Sequence, residues 1–163
     1  MIFDLGVHHF DVVRFLLESE VEEVHAYTTG SDKTATVMLS MSNGAQAVCA
    51  FAEDAGENQA LEIYGERGAL RLCCYRADGL EQFRLNENPG AITARLRAAG
   101  NTLLHLPRAL YRSWGGGEYA ASYIEEWNHF AQAVLLDKPA EANLLDGRRA
   151  LEIALAASRS IAR

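Results

Sequence analysis

Several things are missing from this chain of 163 residues, and each absence narrows the reading. No apolar run approaches the ~20 residues of a membrane span. No basic segment leads into an apolar one near the start, so a signal peptide is not expected. Positive charge is scarce: 15 Lys and Arg stand against 22 Asp and Glu, for a net charge of −7. Nucleic acid and anionic membrane both call for a positive surface and are excluded as partners. Cysteine is limited to Cys49, Cys73 and Cys74. An odd set with two adjacent members, pointing to opposite faces of a strand, reads as free thiols of a reducing cytoplasm rather than disulfides or a metal site. Low-complexity segments and internal repeats are absent. So is a Gly-x-Gly-x-x-Gly run: Gly115-Gly116-Gly117 follows no strand pattern and reads as a connector.

What remains is ordinary globular material, 49% hydrophobic and 23% charged, and we expect a single domain over residues 1–163. From about residue 21 to 85 the pattern alternates or runs continuously apolar between turn signals. It predicts strands at 21–29, 34–41, 45–52, 60–64, 69–75 and 80–84. Asn43-Gly44 is the strongest hairpin signal, and Gly65-Glu66-Arg67-Gly68 and Asp78-Gly79 punctuate the later strands. Strands joined by tight turns are antiparallel. Residues 35–41 and 45–52 are apolar on both faces, whereas a one-sided sheet alternates apolar with polar. Helices cover one face only, so a second subunit is the economical cover for the other.

The rest predicts helices. Phe10 to Leu17 is a short apolar one. Residues 91–111 read as two pieces, broken at Gly100-Asn101 and at Pro107. Residues 118–136 place Tyr119, Tyr123, Trp127, Phe130 and Val134 on one stripe, with Tyr119, Trp127 and Phe130 expected in the core. Asp146 is expected to cap a last helix, 147–162, with Leu151, Leu155 and Ile161 among its apolar positions.

The opening residues carry the chemistry. Asp4, Gly6 and His8 fall as Asp-x-Gly-x-His, with Asp11 three residues on. If the segment is helical, Asp4 and His8 share a face. A carboxylate near an imidazole orients it and stabilises its charged form, as proton exchange with a hydroxyl near neutral pH requires. The bland alternative has Asp4 capping the helix and His8 packed beside the sheet. Asp11 reads as a structural partner of backbone or Arg14, and His9 as exposed or packed. Asp4, His8 and His9 are suitable metal ligands by type, but adjacent helical histidines diverge and no fourth ligand is apparent. Arg95, Arg97, Arg108, Arg112 and His105 form a basic island in an acidic chain. It suits a phosphorylated or carboxylated ligand, or is simply a solvated helix face. Trp114 and Tyr123 are candidate aromatic platforms.

Together these features resemble the C-terminal domain of the glucose–fructose oxidoreductase / inositol dehydrogenase / MocA family. The opening motif is similar to that family's catalytic motif. The hairpin Thr36–Phe51 (TVMLSMSNGAQAVCAF), the element Glu62–Leu70 (EIYGERGAL) and the closing run from Tyr123 through Pro139 and Asp146-Gly147 to Ser158 also look like it. Residues 86–117 show no family pattern.

The resemblance implies an α+β fold like the C-terminal domain of glyceraldehyde-3-phosphate dehydrogenase, with one mostly antiparallel open sheet of about six strands and helices on one face. It implies His8 as the proton-transfer residue, Asp4 as its orienting partner, and substrate contacts from His8, Arg95, Arg108, Arg112, Trp114 and Tyr123. NAD or NADP is implied for the family architecture, but its glycine-rich loop and Glu-Lys-Pro lysine have no counterpart here. We therefore expect no Rossmann domain and no cofactor held by this chain alone. The partners expected are a sugar-like small molecule, a homo-oligomer through the sheet face, and a separately encoded dinucleotide-binding domain. The alternative is a stand-alone binding or oligomerisation module that has lost the chemistry.

Overall fold

The computed structural model describes residues 1–30, 33–56, 58–76, 79–86, 88, 90–114 and 117–162, with backbone alone for residues 112–113 and 117–119. The alternating stretch forms six strands: β1 (Val21–Tyr27), β2 (Thr34–Met41), β3 (Gln46–Ala52), β4 (Ala60–Gly65), β5 (Gly68–Cys73) and β6 (Leu80–Arg84). The α+β class and the antiparallel pairing hold, but the expectation of one six-stranded sheet does not. The strands form two three-stranded sheets, β1-β2-β3 and β4-β5-β6. The hairpins at Gly44 and at Gly65–Gly68 set one pairing inside each sheet. β3 and β4 are not paired, and periodicity alone cannot say whether two strands pair.

The chain divides into two compact units, Met1–Gly56 with Pro139–Arg163, and Glu57–Lys138. In the first unit, the π-helical turn Ile2–Gly6 leads into α1 (Val7–Leu17). Gly44 has φ +84°, a left-handed value that glycine adopts without strain, and its N–H closes the β2–β3 hairpin onto Met41 O at 2.9 Å. Asn43 adds a second role: its Nδ2 donates to Leu17 O at 3.0 Å, satisfying a carbonyl at the end of α1.

The final helix, α4, spans Leu144–Ile161, and Asn143 caps it in place of Asp146. Asp146 sits at the third helical position of a capping box and accepts from Asn143 N at 3.1 Å. The buried stripe of α4 is Ala150, Ile153, Ala154 and Ala157, while Leu151 and Leu155 are exposed. Small side chains at that spacing let the helix backbone approach the sheet closely, which leucines would prevent. Phe10 of α1 and Ile153, Ala154 and Ala157 of α4 meet Ala26, Ala35, Val37, Leu39, Met41, Cys49 and Phe51 in one core. The Phe10 and Phe51 rings meet edge to face at 6.0 Å. Ser160 Oγ accepts the Ala26 N–H at 3.0 Å, fastening α4 to β1.

In the second unit, Gly65 and Gly68 pair across a two-residue hairpin. Gly68 has φ +139°, and a Cβ there would lie 2.1 Å from Phe83 O, so only glycine fits. The predicted break in residues 91–111 does not occur: α2 runs unbroken over Ile92–Trp114 with Pro107 inside. Pro107 removes one helical N–H, and the preceding turn at Leu103 and Leu104 is exposed rather than buried. α3 covers Gly117–Leu135 and packs on α2. Its predicted core stripe is exposed, Trp127 at 67% and Phe130 at 54%, with Tyr123 and Val134 also open. Helical spacing marks a stripe without saying what covers it. The side chain of Tyr119, the Asp78 turn position and the Gly115-Gly116 connector lie outside the described residues.

Candidate functional site

Asp4 lies in the π-helical turn and His8 in the first turn of α1, both exposed. Neither bland role is realised. No side chain caps either helical start, so Asp4 is not a cap. The histidine packed at the sheet is His9, whose ring meets Phe51 edge to face at 5.3 Å and whose Nδ1 lies 2.8 Å from Leu5 O. His8 therefore presents its ring to solvent, one turn beyond Asp4. No hydrogen bond or ion pair joins the two side chains among the described residues. Gly6 is buried, and a Cβ there would come within 3.2 Å of the Phe10 ring, so the motif's glycine seats the turn against the core.

The helix carrying His8 is anchored by a residue that sequence reasoning used only as a partner for Asp11. Arg14, 7% exposed, is the buried charged side chain among the described residues. Its Nε and Nη2 donate to Glu20 Oε2 and Oε1 at 2.8 and 2.9 Å, a bidentate pair. Nη1 donates to Asp11 Oδ1 at 2.8 Å, as expected for Asp11, and also to Asp146 O at 3.4 Å. Nη2 reaches Asp146 Oδ1 at 3.4 Å, and Arg149 Nη1 adds a 2.6 Å bond to Glu20 Oε1. The Glu20 hydrogen bonds, opposed in part by burial, hold the Arg14 guanidinium well above its ordinary range. Arg14 in turn pulls the Glu20 carboxyl down. The signal available in the sequence was an arginine inside the apolar run FDVVRFLL, one turn after Phe10.

The remaining candidates lie in the second unit. Arg95 and Arg97 line a cavity of about 700 Å³ with Arg71 and Arg76, which sequence reasoning did not single out. Arg108 and His105 are exposed on α2 outside that lining, Trp114 is 90% exposed, and Tyr123 is on α3. The Arg112 side chain lies outside the described residues. Among the described residues no group of three or more His, Cys, Asp or Glu could hold a metal ion. The three cysteines are free; Cys49 is buried and Cys73 and Cys74 are half-buried.

The opening turn, α1 and the first sheet all fall in residues 1–71, the stretch that matches the family model described as GFO/IDH/MocA C-terminal domain. Similarity to two curated relatives extends through nearly the whole chain. The uncharacterized oxidoreductase YrbE of Bacillus subtilis is 27% identical, with 99% of this chain and 46% of the relative covered. The myo-inositol 2-dehydrogenase of Thermotoga maritima gives the same identity and coverage. The chain thus spans about half the length of the curated relatives it matches. Among solved structures, a probable dehydrogenase from Thermotoga maritima superposes with a TM-score of 0.68 at 24% identity, over 99% of this chain and 47% of that one. Other structures of this fold hold NAD or NADH.

Proposed function

We propose that the chain is the substrate-binding half of an NAD- or NADP-dependent oxidoreductase acting on a hydroxyl of a sugar or cyclitol. The observation that carries this reading is the solvent-facing His8, one turn beyond Asp4, on a helix held in place by Arg14. His8 takes or returns the hydroxyl proton, and Asp4, one turn before it, serves as its orienting partner once substrate is bound. Arg95, Arg108 and Arg112 supply donors to anionic substrate groups, and Trp114 and Tyr123 supply flat faces for a ring. The inositol dehydrogenase relative supports the cyclitol class. The continuous similarity to relatives supports residues 1–163 working as one domain.

The starts of α1 and α4 do not fit the dinucleotide. Its pyrophosphate calls for backbone N–H groups at a glycine-rich strand-to-helix turn. Here α1 follows a π-helical turn, and the first N–H groups of α4 are taken by Asn143 and its box with Asp146. The cofactor belongs to a separate dinucleotide-binding domain in this reading, and the setting is cytoplasmic; among the described residues no helix is long and apolar enough to cross a membrane. Purification with such a domain, and cofactor-linked oxidation of a polyol or sugar by the complex, tests the proposal. His8→Gln is expected to lower kcat by ~10²–10⁴; an unchanged rate removes His8 from the chemistry.

One observation favours a second reading, that of a stand-alone assembly module. The outer face of the first sheet leaves Tyr27, Met38 and Val48 exposed, at 62%, 45% and 65%. A module of this kind assembles normally and shows no turnover with any dinucleotide domain.

A further inference from the structure

We infer that the arginine-lined cleft of the second unit is a binding site for a small phosphorylated molecule. Its walls are β5 and β6 on one side and the first half of α2 on the other. Along α2, Ala94, Ala98, Asn101 and Thr102 recur at helical spacing and face the cleft, and the two alanines leave space where larger side chains would fill it. Arg95 and Arg97 flank that strip. Across from them lies Arg76, whose carbonyl accepts from Gly79 N at 3.0 Å, while the Gly79 carbonyl accepts from Cys73 N at 3.0 Å. A Cβ on Gly79 would come within 2.6 Å of Cys73 O, so only glycine fits at that position.

Charge makes the cleft unusual. Four arginines and one glutamate line it, in a chain whose net charge is −7. Arg71 is committed to structure: its Nε donates to Glu62 Oε1 at 2.8 Å, and it pairs with Glu81 across the β5–β6 ladder. The Arg95 side chain, by contrast, makes no hydrogen bond or ion pair with another described residue. Planar forked donors suit phosphate oxygens, and Leu72 and Leu80, paired across β5 and β6, offer apolar surface for the organic part. The volume, about 700 Å³, is that of a small-molecule site. Extended polyanions are disfavoured by the acidity of the rest of the chain. This inference shares Arg95 with the oxidoreductase reading and deepens its anion-binding part, but calls on neither His8 nor a cofactor.

Calorimetry on the full chain with inorganic pyrophosphate, with citrate and with a neutral polyol tests it. Pyrophosphate is expected to bind saturably and more tightly than citrate, with affinity falling as salt rises. Arg95→Gln should weaken it about tenfold, and Arg95→Lys, which keeps the charge but not the fork, by less. Arg95 is exposed, so both variants should keep the wild-type circular dichroism. Citrate binding as tightly as pyrophosphate, no saturable binding, or binding indifferent to Arg95→Gln overturns the assignment. Failure here leaves the His8 proposal untouched, because no cofactor or turnover enters the measurement.

Discussion

Arg14 Nη2 reaches Asp146 Oδ1 at 3.4 Å, joining residues 132 positions apart in the chain. The contact links α1, which carries His8, to the first turn of α4. Asp146 serves both partners, with Oδ2 closing the capping box on Asn143 N. Glu20, just before β1, completes the cluster through its bidentate bond to Arg14 and its bond to Arg149. One buried guanidinium thereby fixes the helix bearing the candidate proton-transfer residue against two other elements of the first unit.

Replacing Arg14 with methionine should therefore destabilise the first unit. Breaking a fully buried ion pair costs about 3–5 kcal/mol, but Glu20 and Asp11 are nearly half exposed and water screens them once unpaired. A loss of roughly 1–3 kcal/mol in urea unfolding is expected. Unchanged stability would show the cluster to be decorative.

The same cluster sets an acid dependence. Glu20 lies below its ordinary 4.5, first through the Arg14 hydrogen bond, and Asp146 lies below its ordinary 3.8, first through the Asn143 backbone bond. Both carboxyls are more acidic folded than unfolded, so the unfolded chain takes up protons first as the pH drops. Their stabilisation is complete above the ordinary values and is lost as pH falls through the lowered ones. Denaturation midpoints should fall below about pH 4.5, and Arg14→Met should flatten that slope. Parallel slopes in the two proteins would contradict this account.

The open face of the first sheet predicts assembly. Met38 pairs with Val48 across β2 and β3, and Tyr27 pairs with Thr36 across β1 and β2, all on the side away from α1 and α4. Such a patch on a monomer invites association. Sedimentation should find a dimer or larger species at micromolar concentration, and Val48→Glu should convert it to monomer with its fold intact. Val37 is no substitute for this test, because it is fully buried under the helices and a charge there would unfold the unit. A wild-type monomer at that concentration would sink the prediction.

Cys49 should be silent toward alkylating reagents. Burial pushes its thiol up to about 11, leaving roughly one part in ten thousand as thiolate at neutral pH. Mass spectrometry after iodoacetamide treatment should find Cys49 unlabelled in the native protein and labelled in denaturant. Rapid native labelling would mean that α4 and the sheet part easily.

Calorimetry of the chain alone with NAD and with NADP should give no heat of binding. The prediction follows from the lack of any Gly-x-Gly-x-x-Gly in the sequence, together with the committed first turn of α4. Micromolar affinity for either dinucleotide would reveal a cofactor site of a different construction.

Much of the fold was legible locally. β2 and β6 begin and end where alternation places them, and Asn43-Gly44 and Gly65–Gly68 turn the chain where their backbone demands it. The Asp4–Gly6–His8 spacing and the free state of the cysteines were also readable, because each depends on neighbours a few residues away. Tertiary structure decided the rest. It grouped six strands into two sheets, kept α2 whole through Pro107, and chose alanines over leucines for the buried stripe of α4. It also brought Arg14 to Asp146, and Arg71 and Arg76 to Arg95 and Arg97. Periodicity and turn preference act over a handful of residues, whereas pairing a buried guanidinium or lining a cleft depends on which distant segments pack together. That choice is made by the summed burial of whole helix and sheet faces.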